Sequence, residues 1–384
     1  MKKVKSLIIV AVVLVSLLAV ISAYRIKEFP ICTVANDQTL PVIYGNIVVW
    51  QDWRNDDGSW TNGDIYGYNL ATHTEFPICT AANNQCDPAI YGNIVVWQDD
   101  RNTNLDIYGY NLSTSTEFPI CTDTNTQMYP AIYGNIVVWT DFRTAVDLYG
   151  YDMGPDGIFG TGDDVGEFQM TADPNNQCDP AIYGNIVVWE DRWAGVNDIY
   201  GYDMGPDGIY GTGDDGGQFS ICTDPNVQRK PVIYGNIVVW EDWRNDDGSW
   251  TNGDIYGYNL STSTEFPICT ASNNQYHPAI YGNIVVWRDN RSVNADIYGY
   301  NLSTHTEFAI CTATSSQYAP AIYGNIVVWH DYRSGNADIY GAVLEEAIFA
   351  NPIAAFMPVK NYHLRQVNTC LGCIEENLPE DVPE

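Results

Sequence analysis

Short runs rich in Ile, Val, Tyr, Trp or Thr, each bounded by Gly, Asn, Asp or Ser, follow one another along most of the chain. Between residues 88 and 122 there are four: Pro88–Asn93, Ile94–Asp99, Asp106–Leu112 and Thr116–Thr122. Runs this short, β-branched and turn-bounded predict strands. The Gly-Asn pair between the first two tolerates positive φ and predicts a tight hairpin.

The same unit returns seven times. The heptapeptide Tyr-Gly-Asn-Ile-Val-Val-Trp begins at Tyr44, Tyr91, Tyr133, Tyr183, Tyr234, Tyr281 and Tyr323, at a pitch of 42 to 51 residues. Four strands per unit of this length describe a propeller blade rather than a helical repeat. The fourth-strand pattern also occurs seven times, at Glu28–Thr33, Glu75–Thr80, Glu117–Thr122, Glu167–Ala172, Gln218–Thr223, Glu265–Thr270 and Glu307–Thr312. Its first copy precedes the first unit, and the last unit, 320–343, has none after it. The N-terminal strand must therefore complete the last blade, which removes the open sheet edges of a linear array. The expected fold is all-β: a seven-bladed propeller of four-stranded antiparallel blades over residues 24–345.

Trp97-Gln98-Asp99-Asp100-Arg101 followed by Asp106-Ile107-Tyr108 carries a further signal. This Trp-x-Asp-x-Arg and Asp-Ile-Tyr pattern resembles the TolB-like propeller repeats of prokaryotic secreted and cell-surface proteins, over residues 24–345. The resemblance speaks for architecture, since propellers host binding, scaffolding and unrelated chemistries. Trp189-Glu190-Asp191-Arg192-Trp193 departs from it, with the arginine one place early.

Two ends lie outside the repeats. Met1–Lys5 carries three lysines, Leu7–Ile21 is apolar but for Ser16, and Ser22 and Ala23 are small. Residues 1–23 thus read as a secretory signal cleaved before Tyr24, or as an uncleaved anchor and the chain's one membrane attachment. Residues 346–384 read as a linker and a short amphipathic helix over 361–378, with Leu364, Val367, Leu371, Ile374 and Leu378 on one stripe.

Charge narrows the partners. With 17 Lys and Arg against 48 Asp and Glu, the 384-residue chain carries −31, which repels a nucleic-acid backbone. An exported chain with ten cysteines invites disulfides. Yet Cys32, Cys79, Cys121, Cys222, Cys269 and Cys311 occupy one repeated slot, filled by Met170 in the remaining copy, and are expected as buried thiols between blades. Cys86 and Cys178 share a second position, and Cys79–Cys86 is open as a pair. Cys370-Leu371-Gly372-Cys373 is a redox, metal or disulfide motif without a second pair. His73, His277, His305, His330 and His363 show no ligand spacing, and no phosphate loop is present. Asn111, Asn259, Asn290 and Asn301 are glycan acceptors where the host glycosylates.

Groups present in every blade point to structure, because catalysis needs one asymmetric constellation. The Trp-adjacent aspartates and their arginines, and the glutamines from Gln38 to Gln317, are expected to pin hairpins and turns. Blades that differ point to function. Blades 1 and 5 share the inserted loop Arg54–Asp64 and Arg244–Asp254, with Trp60 and Trp250 at polar tips, so Trp60, Trp250, Arg54 and Arg244 are the expected ligand contacts. Blades 3 and 4 insert Asp152–Asp164 and Asp203–Asp215, Gly-rich turns with four aspartates each. Asp152, Asp156, Asp163 and Asp164, with Asp203, Asp207, Asp214 and Asp215, are the expected ligands for calcium.

The functional expectation is a non-catalytic, extracellular or cell-surface module that binds a polysaccharide or protein partner. A polysaccharide lyase or glycosidase on the same scaffold, or a structural surface-layer component, are the alternatives.

Overall fold

The computed structural model describes residues 24–143, 145–193 and 196–346. The predicted signal segment 1–23, the 361–378 helix and the Cys370/Cys373 pair lie outside them. Within them the chain forms seven four-stranded antiparallel sheets and no helix, each sheet built from strands consecutive in sequence save one. That one joins Tyr24–Cys32 to Asp338–Glu346, pairing Tyr24 with Glu346 and Phe29 with Gly341. Glu28 of this strand reaches Arg333 at 3.0 Å, as Glu117 reaches Arg101 inside blade 2 at 2.6 Å, so the spliced blade repeats the bonds of the continuous ones.

The first strand of each blade differs from its predicted span. It runs from the glutamine through the proline to the tyrosine, Gln85–Tyr91 in blade 2, and its pairing slips between Cys86 and Ala89. As the innermost strand it has no neighbour on its other side, so proline's missing N–H breaks no ladder bond.

The cores lie between blades. Val48, Val49 and Trp50 and their counterparts in the other six blades are fully buried. Trp139 of blade 3 packs in one cluster with Ile107, Ile120 and Cys121 of blade 2. The sheet face is closely covered: a Cβ at Gly109 would stand 2.5 Å from the ring of its cross-strand partner Phe118, which favours glycine there.

Strand register gives the disc two distinct faces. Gln38 pairs with Asp52, and Asp52 with Asp64, so the Arg54–Asp64 loop leaves from the glutamine end. Tyr44 pairs with Ile47 at the other end. There Asp152, paired with Ile136 and Gly166, launches the first acidic loop. Tyr44, Tyr91, Tyr133, Tyr183, Tyr234, Tyr281 and Tyr323 form a closed collar around the axis, with neighbouring ring centroids 4.6–4.8 Å apart. Burial and the adjacent tyrosines push the Tyr44 hydroxyl up to about 12.

Candidate functional site

The repeated Trp-Asp-Arg motif is structural in detail. In blade 1, Trp50 Nε1 donates to Asp52 Oδ2 at 2.8 Å, and Arg54 grips Asp52 through Nε and Nη2 at 2.9 and 2.7 Å. Arg54 Nη1 donates to Glu75 at 2.5 Å, Nη2 also reaches Cys32 Sγ of the preceding blade at 3.4 Å, and the guanidinium lies 4.0 Å from the Tyr66 ring centre. Arg244 repeats this with Asp242, Glu265, Cys222 and Tyr256. Arg54 and Arg244, expected as ligand contacts, are placed by the fold in a blade-to-blade clamp that engages their donors inside the protein. The six repeated cysteines are free thiols in these clamps, and burial pushes Cys32 up to about 12. Cys79 and Cys86 are also unpaired.

The acidic loops use their carboxylates internally. Asp152 accepts from Gly154 N at 2.8 Å, Asp156 from Ile158 N at 2.8 Å, Asp163 from Thr161 Oγ1 at 2.5 Å, and Asp164 from Tyr151 Oη at 2.7 Å. Asp203, Asp207 and Asp215 repeat the pattern with Gly205 N, Ile209 N and Tyr202 Oη at 2.9, 2.9 and 2.7 Å, and Asp214 with Thr212 Oγ1 at 2.5 Å. The Thr161 hydroxyl holds Asp163 below its ordinary range, as Thr212 holds Asp214. These carboxylates thus accept from N–H and O–H donors of their own loops and strands. Among the described residues no three of these aspartates bring ligand oxygens within 4.8 Å of one another.

Trp60 and Trp250 are half exposed, at 55% and 49%. Trp60 meets Trp53 edge-on at 4.9 Å, and Trp250 leans on Trp243 at 5.7 Å. Identical loops acquire different neighbours: Arg229 stands 5.1 Å from the Trp250 ring, whereas the equivalent residue of blade 1 is Thr39, which carries no charge.

The strongest asymmetry lies at the axis, where sequence reasoning overlooked it. A cavity of about 390 Å³ is lined by the residue before proline in each first strand, Leu40, Asp87, Tyr129, Asp179, Lys230, His277 and Ala319. All seven have left-handed φ, from 47° to 55°. Non-glycine residues seldom take this conformation, and it concentrates at functional sites. The available signal was divergence: between the invariant Gln and Pro the seven copies take six different residue pairs, only Cys-Asp recurring in blades 2 and 4, while their flanks are nearly identical.

A second variable position, directly after each core tryptophan, supports the first. Its side chain accepts the next blade's pre-proline N–H: Gln98 from Tyr129 at 2.6 Å, Thr140 from Asp179 at 3.2 Å, Glu190 from Lys230 at 2.8 Å, Glu241 from His277 at 2.7 Å and His330 from Leu40 at 3.4 Å. Burial pushes Glu241 up to about 7. Surrounding protein and nearby cations hold His277 down to about 4, and burial holds His330 down to about 3.

Blade 4 fills one side of the cavity with charge. Because side chains alternate along a strand, the one-residue shift of Arg192 turns it away from the clamp position. It donates to Glu190 Oε2 at 2.9 Å and Asp179 Oδ2 at 3.2 Å, while Lys230 Nζ lies 2.6 Å from Asp179 Oδ1. Asp191 turns to Asn175 and Gln177, leaving Trp189 Nε1 without the aspartate that its six counterparts have. The cysteine such an arginine would meet is here Met170.

Cys178, Asp179 and Glu190 bring three potential metal-ligand atoms within 4.8 Å of one another, an acidic cluster of the size a metal requires. Its charge is already met by Lys230 and Arg192, and burial raises the Cys178 thiol far above neutrality. A protonated thiol and two ion-paired carboxylates make a poor donor set for a divalent cation.

No protein-family model and no curated protein matches the chain. Solved structures do. Oligogalacturonate lyase from Vibrio parahaemolyticus is similar with a TM-score of 0.60 and 11% identity, over 84% of this chain and 97% of that one. An oligogalacturonate lyase in complex with manganese gives 0.61 and 10%, over 84% and 96%. The β-propeller domain of the Trilobed protease from Pyrococcus furiosus gives 0.57 and 12%, over 83% and 100%. At such identities the likeness is one of fold, that of a β-propeller.

Proposed function

We propose that this chain is an exported binding propeller whose central cavity, on the glutamine face, holds a carbohydrate segment of an extracellular polymer. The observation that carries this reading is the confinement of divergence. Blades that repeat almost residue for residue differ where their side chains meet at one cavity, and a shared scaffold that places six different residue types at seven equivalent positions is how a ligand would be specified. Its volume falls in the range of small-ligand sites. Its lining combines proline faces with Tyr129, His277, Lys230 and Asp179, a mixture of flat apolar surface and convergent polar groups suited to a sugar. Trp250, beside Arg229 on the same face, extends this surface outward.

The test is binding of soluble oligosaccharides by the full chain and by Tyr129→Ala and His277→Ala. Alanine already stands at the equivalent Ala319 with φ of 47°, so the backbone accepts it. Loss of binding with unchanged melting supports the reading; binding untouched by both variants refutes it. The runs include calcium, manganese and chelator, because calcium at the acidic loops would have to displace the donors described above.

A second reading, a polysaccharide lyase, is favoured by Glu241, a carboxyl pushed up to about 7 and thus poised to exchange a proton near neutrality. Burial raises it, while Lys230 and Arg229 nearby act in the opposite direction. Release of unsaturated product, absorbing in the ultraviolet, would establish it; its absence with binding intact leaves a binding module.

A further inference from the structure

Arg288 breaks a rule that five of its six counterparts keep. The position after the core tryptophan holds an acceptor-bearing side chain in six blades, and in five of them it receives the next blade's pre-proline N–H. A guanidinium has no acceptor atom, so arginine in blade 6 gives up that bond to Ala319. Nor does Arg288 find an ion pair. Among the described residues no carboxylate lies within 4.0 Å of it, whereas the clamp arginines of six blades each hold two. Its Nε donates to Asn290 Oδ1 at 3.1 Å, and its plane lies 4.1 Å from the Tyr318 ring centre and 5.2 Å from that of Tyr276. Desolvation by burial lowers its proton affinity, so the fold works against this charge rather than for it.

The surroundings are as unusual as the residue. Arg288 opens on a second cavity of about 380 Å³ beside the mouth of the first, lined also by Asn274, Asn290, Ser292, Asn294, Ser316 and Tyr318. These are amides and hydroxyls, and none of the residues lining this cavity is Asp or Glu, in a chain that carries 48 of them. Arg229 adds a second cation across the Trp243–Tyr276 contact, its Nε buried and without a partner. Glu241 is the carboxyl nearby, and it is engaged by His277 N.

We propose that the Arg288 cavity is a subsite for a carboxylate group of the ligand, with Arg288 as the ionic contact, Tyr276 and Tyr318 holding its guanidinium flat, and the amides and hydroxyls completing the hydrogen bonds. An unpaired, aromatic-stacked guanidinium presents a planar fork matched to a carboxylate. The subsite rests on the carbohydrate reading of this face and specifies it: the sugar is acidic, or a free organic acid occupies the site.

The experiment is calorimetric titration of the full chain with a short oligo-glucuronate, its neutral oligo-glucose counterpart and succinate, for wild type, Arg288→Gln, Arg288→Lys and Tyr129→Ala. Glutamine is native at this position in blades 1 and 2, where Gln98 makes the interblade bond, so Arg288→Gln is expected to melt no lower than wild type. It should lose roughly 10–100-fold in affinity for the carboxylate ligand and nothing for the neutral one, with Arg288→Lys in between. Displacement of the glucuronate by succinate would assign the site to free acids, and tight binding of glucuronate alone to acidic sugars; both retain the subsite. Equal wild-type affinity for glucuronate and its neutral counterpart, or undiminished glucuronate binding by Arg288→Gln, overturns it. Loss in Arg288→Gln with full retention in Tyr129→Ala keeps the subsite and removes the central-cavity reading; the reverse result does the opposite.

Discussion

Lys230 Nζ lies 2.6 Å from Asp179 Oδ1, an ion pair that crosses from blade 5 to blade 4 at the wall of the central cavity. Asp179 is 8% exposed at its side chain and shares its second oxygen with Arg192, so the pair is one side of a charged cluster. Lys230→Met is expected to destabilise the fold by about 1–3 kcal/mol, less than a fully buried pair would cost because Arg192 remains and Lys230 is partly solvated. Lys230→Met/Asp179→Asn should recover much of that loss. Urea unfolding of the single and double variants measures both.

The clamp arginines should behave differently from the cavity residues. Arg54→Ala and Arg244→Ala each leave a buried aspartate with an unmet charge, and a loss of about 2–4 kcal/mol is expected with oligosaccharide affinity unchanged. Lysine should not rescue them, because it cannot bond both aspartate oxygens and the glutamate together. A selective loss of affinity at full stability would contradict this assignment.

Trp60 and Trp250 belong to identical loops, yet only the latter adjoins Arg229. Trp250→Ala is expected to weaken binding by roughly tenfold, the scale of one stacked aromatic contact, and Trp60→Ala to leave it unchanged. Equal losses in both variants would place the ligand on the loops rather than over blades 5–7.

Stability should follow pH with opposing terms from two buried groups. Glu241 is held near 7 against an ordinary 4.5, so its contribution is fully present below 4.5 and lost as pH rises through about 7. Glu241→Gln removes this term and should gain up to about 3 kcal/mol over wild type at pH 8, with no gain below pH 4.5. His330 is held near 3 against 6.5, so its contribution is present above 6.5 and lost as pH falls toward 3. His330→Gln should flatten the acid limb. Melting curves across pH 3–9 resolve both signs.

Calcium, manganese and chelator are each expected to move the melting temperature by less than about 1 °C, since a cation must bind the folded state to stabilise it. Neither the acidic loops nor the Cys178 cluster offers ligands free of internal partners. A concentration-dependent rise with calcium would restore the loops as metal sites.

Blade count, strand order and the closing strand were legible because each blade repeats its turn and core chemistry, so one unit could be read against six others. The clamp of Asp52 and Arg54 was legible for the same reason. The cavity was not. Its seven residues sit before a proline, where extended backbone is the rule, so their left-handed φ could not be read from the sequence, nor could the bonds that neighbouring blades supply to five of their N–H groups. The shift of Arg192 was visible as an irregularity, but its consequence needed strand parity and the position of Asp179. The internal bonding of the acidic loops was not legible either, because aspartates counted along the chain do not reveal the Thr161 and Tyr151 hydroxyls that donate to them.

The pairing of Tyr24–Cys32 with Asp338–Glu346 also sets a timetable. Every other blade is assembled from strands that leave the ribosome, or cross a membrane, one after another, and their contacts close short loops. The closing blade joins residues more than three hundred positions apart, so its ordering is delayed until the chain is complete. Until then both ends of the unfinished disc present bare strand edges, the condition under which propeller chains pair with one another. The repeats make such exchange easy, since any blade edge resembles the proper one. Glu28 and Arg333 therefore act at the last step of folding, as the charge match that lets the ring accept its own first strand.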